Sequence, residues 1–123
     1  MKEEKVLHLS LKSKWYNMIE CGFKSEEYRE IKAYWVQRLC IWSNGRKINK
    51  HEAEVLASNV ERLDVLIERG NISYVEYTRV KFSYGYTSRA MTYKIRDIFI
   101  SKGRAVWGAP EDVVFIITLG CRL

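Results

Sequence analysis

An α+β fold is what this 123-residue chain predicts, and three observations predict it. The first stretch alternates apolar and polar residues with the two-residue period of a strand. The middle of the chain repeats its apolar positions at helical spacing, and from Tyr77 onward alternation returns. The order reads strand, helix, short strand, helix, long helix, then a run of strands. The length suits one domain spanning residues 1–123. With 47% hydrophobic and 29% charged residues, the chain has material for a core and is excluded from the disordered class.

Val6 to Lys12 sets Leu7, Leu9 and Leu11 on one side and His8, Ser10 and Lys12 on the other, a half-buried strand. Ser13 is placed to cap a helix over Lys14 to Cys21, whose Trp15, Met18 and Ile19 share a face, and Gly22 stands where a left-handed C-terminal residue is needed. Ser25 to Ile31 reads as extended. Ala33 to Trp42 predicts a second helix, ended by the turn Ser43-Asn44-Gly45. Asn49 and Glu52 resemble a capping box opening one long helix that stops at Gly70, with a stripe of Ala53, Leu56, Val60, Leu63 and Ile67. That stripe spans about two heptads, short for a coiled coil, and is expected to pack on the domain's own core in a monomer.

In Tyr77 to Tyr84, Arg79, Lys81 and Ser83 face one way and Val80, Phe82 and Tyr84 the other. A turn follows at Gly85, and Met91 to Ser101 forms the next strand. Its alternation changes phase near Arg96 and Asp97, as at a bulge. Val113 to Leu119 is apolar on both faces and reads as a central strand.

The net charge of +6 is concentrated. Between Arg79 and Arg104 lie seven basic residues against the single acid Asp97, so the rest of the chain sums to zero. A basic window interleaved with Phe82, Tyr84, Tyr86 and Tyr93 offers cations for phosphates and rings for stacking, and so suggests RNA. A solvated basic face with tyrosines in the core is the alternative reading. Cys21, Cys40 and Cys121 are odd in number and far apart, and neither His8 nor His51 has a ligand cluster beside it. Reduced, buried thiols are expected, with no metal and no cofactor. No apolar run approaches a bilayer span and the opening lacks a signal-peptide core, which points to a soluble cytoplasmic protein with no membrane partner.

The stretch GFKSEEYR, residues 22–29, gathers both charge signs just past a helix end. If it is extended, Glu27 and Arg29 share a face, and Lys24 at the strand's mouth reaches the same side. An exposed network of this kind adds little stability, so Lys24 is expected to matter to a ligand more than to folding. The pattern G-x-K-x-x-E-x-R, matched by Gly22, Lys24, Glu27 and Arg29, resembles the signature of the ASCH domain family, which has a PUA-like β-barrel. VLHLSLKSKWYNMIECG before it and YWVQRL, VKFSYGY, VWGAP and FIITLG after it resemble the family's other segments in order. The resemblance covers nearly the whole chain except residues 44–72, a helical insert.

The resemblance implies a PUA-like β-barrel with flanking helices and an inserted long helix, with a cleft lined by the motif. The family is associated with RNA and modified-nucleoside chemistry. Some members are ribonucleases, and others remove the acetyl group of acetylated cytidine. In the latter a threonine stands three positions after the motif lysine, where this chain has Glu27. A lysine nucleophile has to be neutral part of the time, whereas a neighbouring carboxylate favours the ammonium, Arg29 offsetting it in part. Charged Lys24 suits phosphate binding instead.

Three readings stand open. One is a module binding RNA or a nucleotide derivative through Lys24, Glu27, Arg29, Arg79, Lys81, Tyr86 and Arg89. The second is an enzyme on RNA or a modified nucleoside, a ribonuclease or amidohydrolase, with Lys24 and Glu27 catalytic. The third is a protein-interaction module using the long helix.

Overall fold

Alternating leucines need one buried face, and β1 (Lys5–Leu11) supplies it: Leu7, Leu9 and Leu11 are all buried. The computed structural model describes residues 4–123, and the first three residues of the opening segment lie outside them. The chain gathers into two compact units, one of residues up to Tyr28 with Glu76–Leu123, the other of Arg29–Val75.

The first unit holds β1, α1 (Ser13–Glu20), β2 (Glu26–Arg29, whose last residue opens the second unit), β5 (Tyr77–Tyr84), β6 (Ala90–Ser101) and β7 (Val114–Arg122). The strands form one sheet in the order β1-β5-β6-β7-β2, curled as a half-barrel. β1 runs parallel to β5, and β5-β6 and β6-β7 are antiparallel. Register sorts the side chains into rows. Leu7, Val80 and Tyr93 form one buried row and Leu9, Phe82 and Met91 the next. The opposite face carries Val6, Arg79 and Lys94, then His8, Lys81 and Thr92. The expected phase change is present: the β6-β7 register shifts on both sides of Ile95, reaching Asp97. β7 is an interior strand buried on both faces, Phe115 and Ile117 on one, Val114 and Ile116 on the other. Val114 and Ile116 pack with Tyr28, Phe99, Trp107 and Ala109.

α1 starts one residue earlier than expected. Lys12 occupies the N-cap, and Ser13, already helical, caps nothing with its side chain. The Leu11 carbonyl accepts from Gly85 N–H (2.8 Å), so the chain stays extended until the helix begins. Tyr16 rather than Trp15 leads the buried face, edge-on to Tyr84 at 5.1 Å.

The second unit holds α2 (Ala33–Leu39), β3 (Cys40–Trp42), α3 (Lys50–Ser58), α4 (Val60–Glu68) and β4 (Ile72–Tyr74). Two expectations are corrected here. Cys40–Trp42 is strand, not helix, because it pairs antiparallel with β4; a β-branched and an aromatic residue suit that pairing. The single long helix is two helices broken at Asn59, whose non-helical backbone ends α3 while its side chain accepts from Arg62 N–H and caps α4. Asparagine competes with helix interiors in this way. Ala53, Leu56 and Leu63 are nonetheless buried. No helix among the described residues is long and apolar enough to cross a membrane.

The capping box is formed: Asn49 Oδ1 accepts from Glu52 N–H at 2.8 Å, and Glu52 Oε1 accepts from Asn49 N–H at 3.0 Å. Arg46 holds the Glu52 carboxylate with both terminal nitrogens. That ion pair, then the Asn49 N–H, pulls the Glu52 carboxyl from 4.5 down to about 2. A depressed folded value means stability present above the unfolded value and lost as pH falls through the folded one. The melting temperature should therefore fall more steeply between about pH 4.5 and 2 in wild type than in Glu52→Gln. Parallel profiles from calorimetry would remove this role.

Candidate functional site

The motif's geometry begins at the end of α1. Gly22, with φ 85°, sends its N–H to Ile19 O (3.1 Å), and Phe23 N–H reaches Met18 O (3.0 Å). This is a Schellman closure, which needs a left-handed residue at that position. Lys24 N–H also reaches Met18 O (3.1 Å), so the backbone of Lys24 is tied to the helix end. In β2, Glu27 and Tyr28 follow and both are buried.

Lys24 is not exposed at a cleft mouth, as the spacing suggested. It is 1% exposed and Glu27 5%, the only charged residues buried among those described. Its immediate partners are close in sequence, on α1 and β2. Lys24 Nζ donates to Glu27 Oε1 at 2.8 Å and to the Glu26 carbonyl. It lies 4.8 Å from the Tyr28 ring centroid and 5.7 Å from that of Trp15. A carboxylate, a carbonyl and two π faces are partners suited to an ammonium.

Tyr28 is fixed in turn. Its hydroxyl donates to Glu26 Oε1 (2.8 Å) and accepts from Arg104 N–H (3.0 Å). Burial pushes its pKa up to about 12, so at neutral pH the hydroxyl keeps the proton it donates. The Arg104 bond anchors the segment 103–109, which contains one short helical turn, Ala105–Trp107. Two glycines let this segment lie against the rings. A Cβ on Gly103 would fall 2.7 Å from the Tyr28 ring, and one on Gly108 2.7 Å from Trp15.

Four of the other expected ligand-binding residues, Arg79, Lys81, Tyr86 and Arg89, sit elsewhere in the first unit. Arg79 and Lys81 project from the outward face of β5, Arg79 paired with Glu4 at 3.1 Å. Tyr86 is fully exposed in the β5–β6 turn. Arg89 pairs with Glu20 at 2.8 Å and lies over the Tyr16 and Tyr84 rings, bracing the hairpin on α1. Arg29 belongs to the second unit, where its guanidinium sits 5.1 Å from the Trp35 ring.

Trp15, Tyr28, Gly103 and Gly108 went unnoticed in the sequence as site residues. The glycines of GRAVWGAP were the available signal. The cysteine expectation is also corrected: Cys40 is buried, whereas Cys21 and Cys121 are exposed.

Fold and site together define an α+β protein with a curled five-stranded sheet and one enclosed lysine–glutamate pair. Comparison with models of known families, with curated proteins and with solved structures yields no match.

Proposed function

We propose that this chain is an ASCH-like domain of the PUA-like superfamily that binds RNA or a nucleotide or modified-nucleoside derivative at its motif, acting in the cytoplasm. The enclosed Lys24–Glu27 pair is the observation that carries this reading. Burying two charges is costly, and apolar residues of similar volume would serve folding as well or better. The segment 103–109 packs on the rings around Lys24 and lies outside the strands. The motif and its flanking segments support the family, and a half-barrel sheet is compatible with the fold. Two exposed free thiols suit a reducing compartment.

The bonded ammonium favours binding over nucleophilic catalysis. On the outward sheet face Lys81 and Lys94 are exposed in the row pattern beside Arg79, a support for phosphates. If about four to six phosphates are neutralised, log affinity for single-stranded RNA should fall against log salt with a slope of about −3 to −4. Fluorescence anisotropy from low to physiological salt measures it. Affinity that is flat with salt would remove the sheet face from the proposal.

A further inference from the structure

The second unit contains a recess that the motif does not use. The turn after β3 and the end of α4 face each other across a cavity of about 310 Å³, lined by Trp42, Ser43, Asn44, Arg46, Gly70 and Asn71. That volume is at the small end of the range for small-molecule sites. Its walls are held by the backbone. Trp42 pairs with Ile72 across β3–β4, Trp42 N–H bonds Arg46 O (3.0 Å), and Ser43 N–H bonds Asn71 O (3.0 Å). The Ser43 hydroxyl donates to Gly70 O.

The side chains are fixed too. Arg46 is held 5.3 Å from the Trp42 ring centroid by two bonds to Glu52, and the capping box with Asn49 locks Glu52. A guanidinium has five N–H groups. Glu52 takes two of them. Asn44 Oδ1 accepts from Arg46 N–H at 2.9 Å, leaving its NH₂ as a donor. The recess is thus lined by the Trp42 indole, which carries the Arg46 guanidinium over one face and has the other for stacking, and by the two carboxamide residues Asn44 and Asn71, with the Glu52 carboxylate already paired to Arg46. A prearranged site of this kind loses little freedom on binding.

We propose that this recess binds a nucleobase, stacked on Trp42, with its edge read by Asn44 and Asn71 and Arg46 beside the attached phosphate. Aromatic stacking accepts any base, and carboxamides match edges that present a donor and an acceptor together. Four of its six lining residues, Asn44, Arg46, Gly70 and Asn71, lie in the 44–72 segment outside the family resemblance, and the site does not depend on Lys24. The base has two sources, a free mononucleotide or a strand of RNA.

The test is titration of the ¹⁵N-labelled full chain with AMP and, separately, with an oligoadenylate RNA. The signals followed are the Trp42 indole N–H and the Asn44 and Asn71 side-chain amides. Saturable shifts at these positions are expected, and both Trp42→Leu and Asn44→Ala should weaken binding about tenfold or more. Tighter binding of AMP assigns a free nucleotide, and tighter binding of the oligonucleotide a strand. Lys24→Met with Glu27→Leu should leave these shifts unchanged, so this site and the motif fail independently. No shift with either probe at millimolar concentration overturns the proposal. So does undiminished binding in Asn44→Ala, which decides alone if Trp42→Leu does not fold.

Discussion

Lys24→Ala is expected to cost about 3–5 kcal/mol of stability, the penalty for stripping a buried carboxylate of its ion-pair partner. The bond lost is 2.8 Å long, between side chains that are 0% and 6% exposed, so solvent does not screen it. Two aromatic faces lose their cation as well. An exposed pair would cost about 0–1 kcal/mol, and that is the outcome the spacing of GFKSEEYR alone suggested. Lys24→Met combined with Glu27→Leu should recover most of the loss, since replacing both members of a buried pair by apolar residues is neutral or stabilising by about 1–4 kcal/mol. Urea unfolding of wild type, single and double variants measures the three stabilities. A single variant within about 1 kcal/mol of wild type would mean that water reaches the pair.

Gly108→Ala is expected to cost about 2–5 kcal/mol, from two additive sources. Gly108 has φ 94°, where an L side chain loses about 1–2 kcal/mol. Its new Cβ would also stand 2.7 Å from Trp15 Cζ2 and 3.0 Å from Cε2, an overpacking worth about 1–3 kcal/mol. Gly103→Ala separates the two, because it crowds Tyr28 and Ala109 at a backbone angle any residue adopts. Gly103→Ala should therefore show the crowding cost without the dihedral cost. Near-UV circular dichroism would register the displaced rings. Unchanged stability and unchanged tryptophan signal in Gly108→Ala would show that the 103–109 segment does not rest on Trp15.

Strands with one dry face were legible because their period is local. Leu7, Leu9 and Leu11, and Val80 and Phe82, lie buried where alternation put them. Turn glycines were legible as well: Gly22 and Gly70 both close helices at positive φ. Cys40–Trp42 was not, since three residues carry no period and their partner strand begins thirty residues on, at Ile72. The break at Asn59 was hidden because the apolar spacing continues through it, and only the side-chain bond to Arg62 N–H reveals the new helix start.

The candidate site was half legible. Lys24 and Glu27 were found from charge and spacing, and they do bond. Their burial was not, because local sequence puts them beside polar residues. What packs around the rings next to Lys24 arrives from the far end of the chain, at Gly103 and Gly108. Arg89 was read as a ligand group because its charge is visible in the sequence. Its partner Glu20 is 69 positions away and is not.

The most direct measurement is the affinity for single-stranded RNA and for a modified nucleoside of the Lys24→Met, Glu27→Leu protein at fixed salt. It is set beside the protein with the motif intact and checked for an unchanged fold, with Asn44→Ala present in both proteins to silence the recess. With the motif intact the protein should bind single-stranded RNA or a modified nucleoside. The protein lacking the pair should bind about ten to a hundred times more weakly, the loss of a charge-assisted bond to the ligand. Its salt slope should stay nearly the same, since the outward face of the sheet is untouched. Equal affinity in a folded protein lacking the pair, or no binding with the motif intact, would contradict a ligand role for the motif.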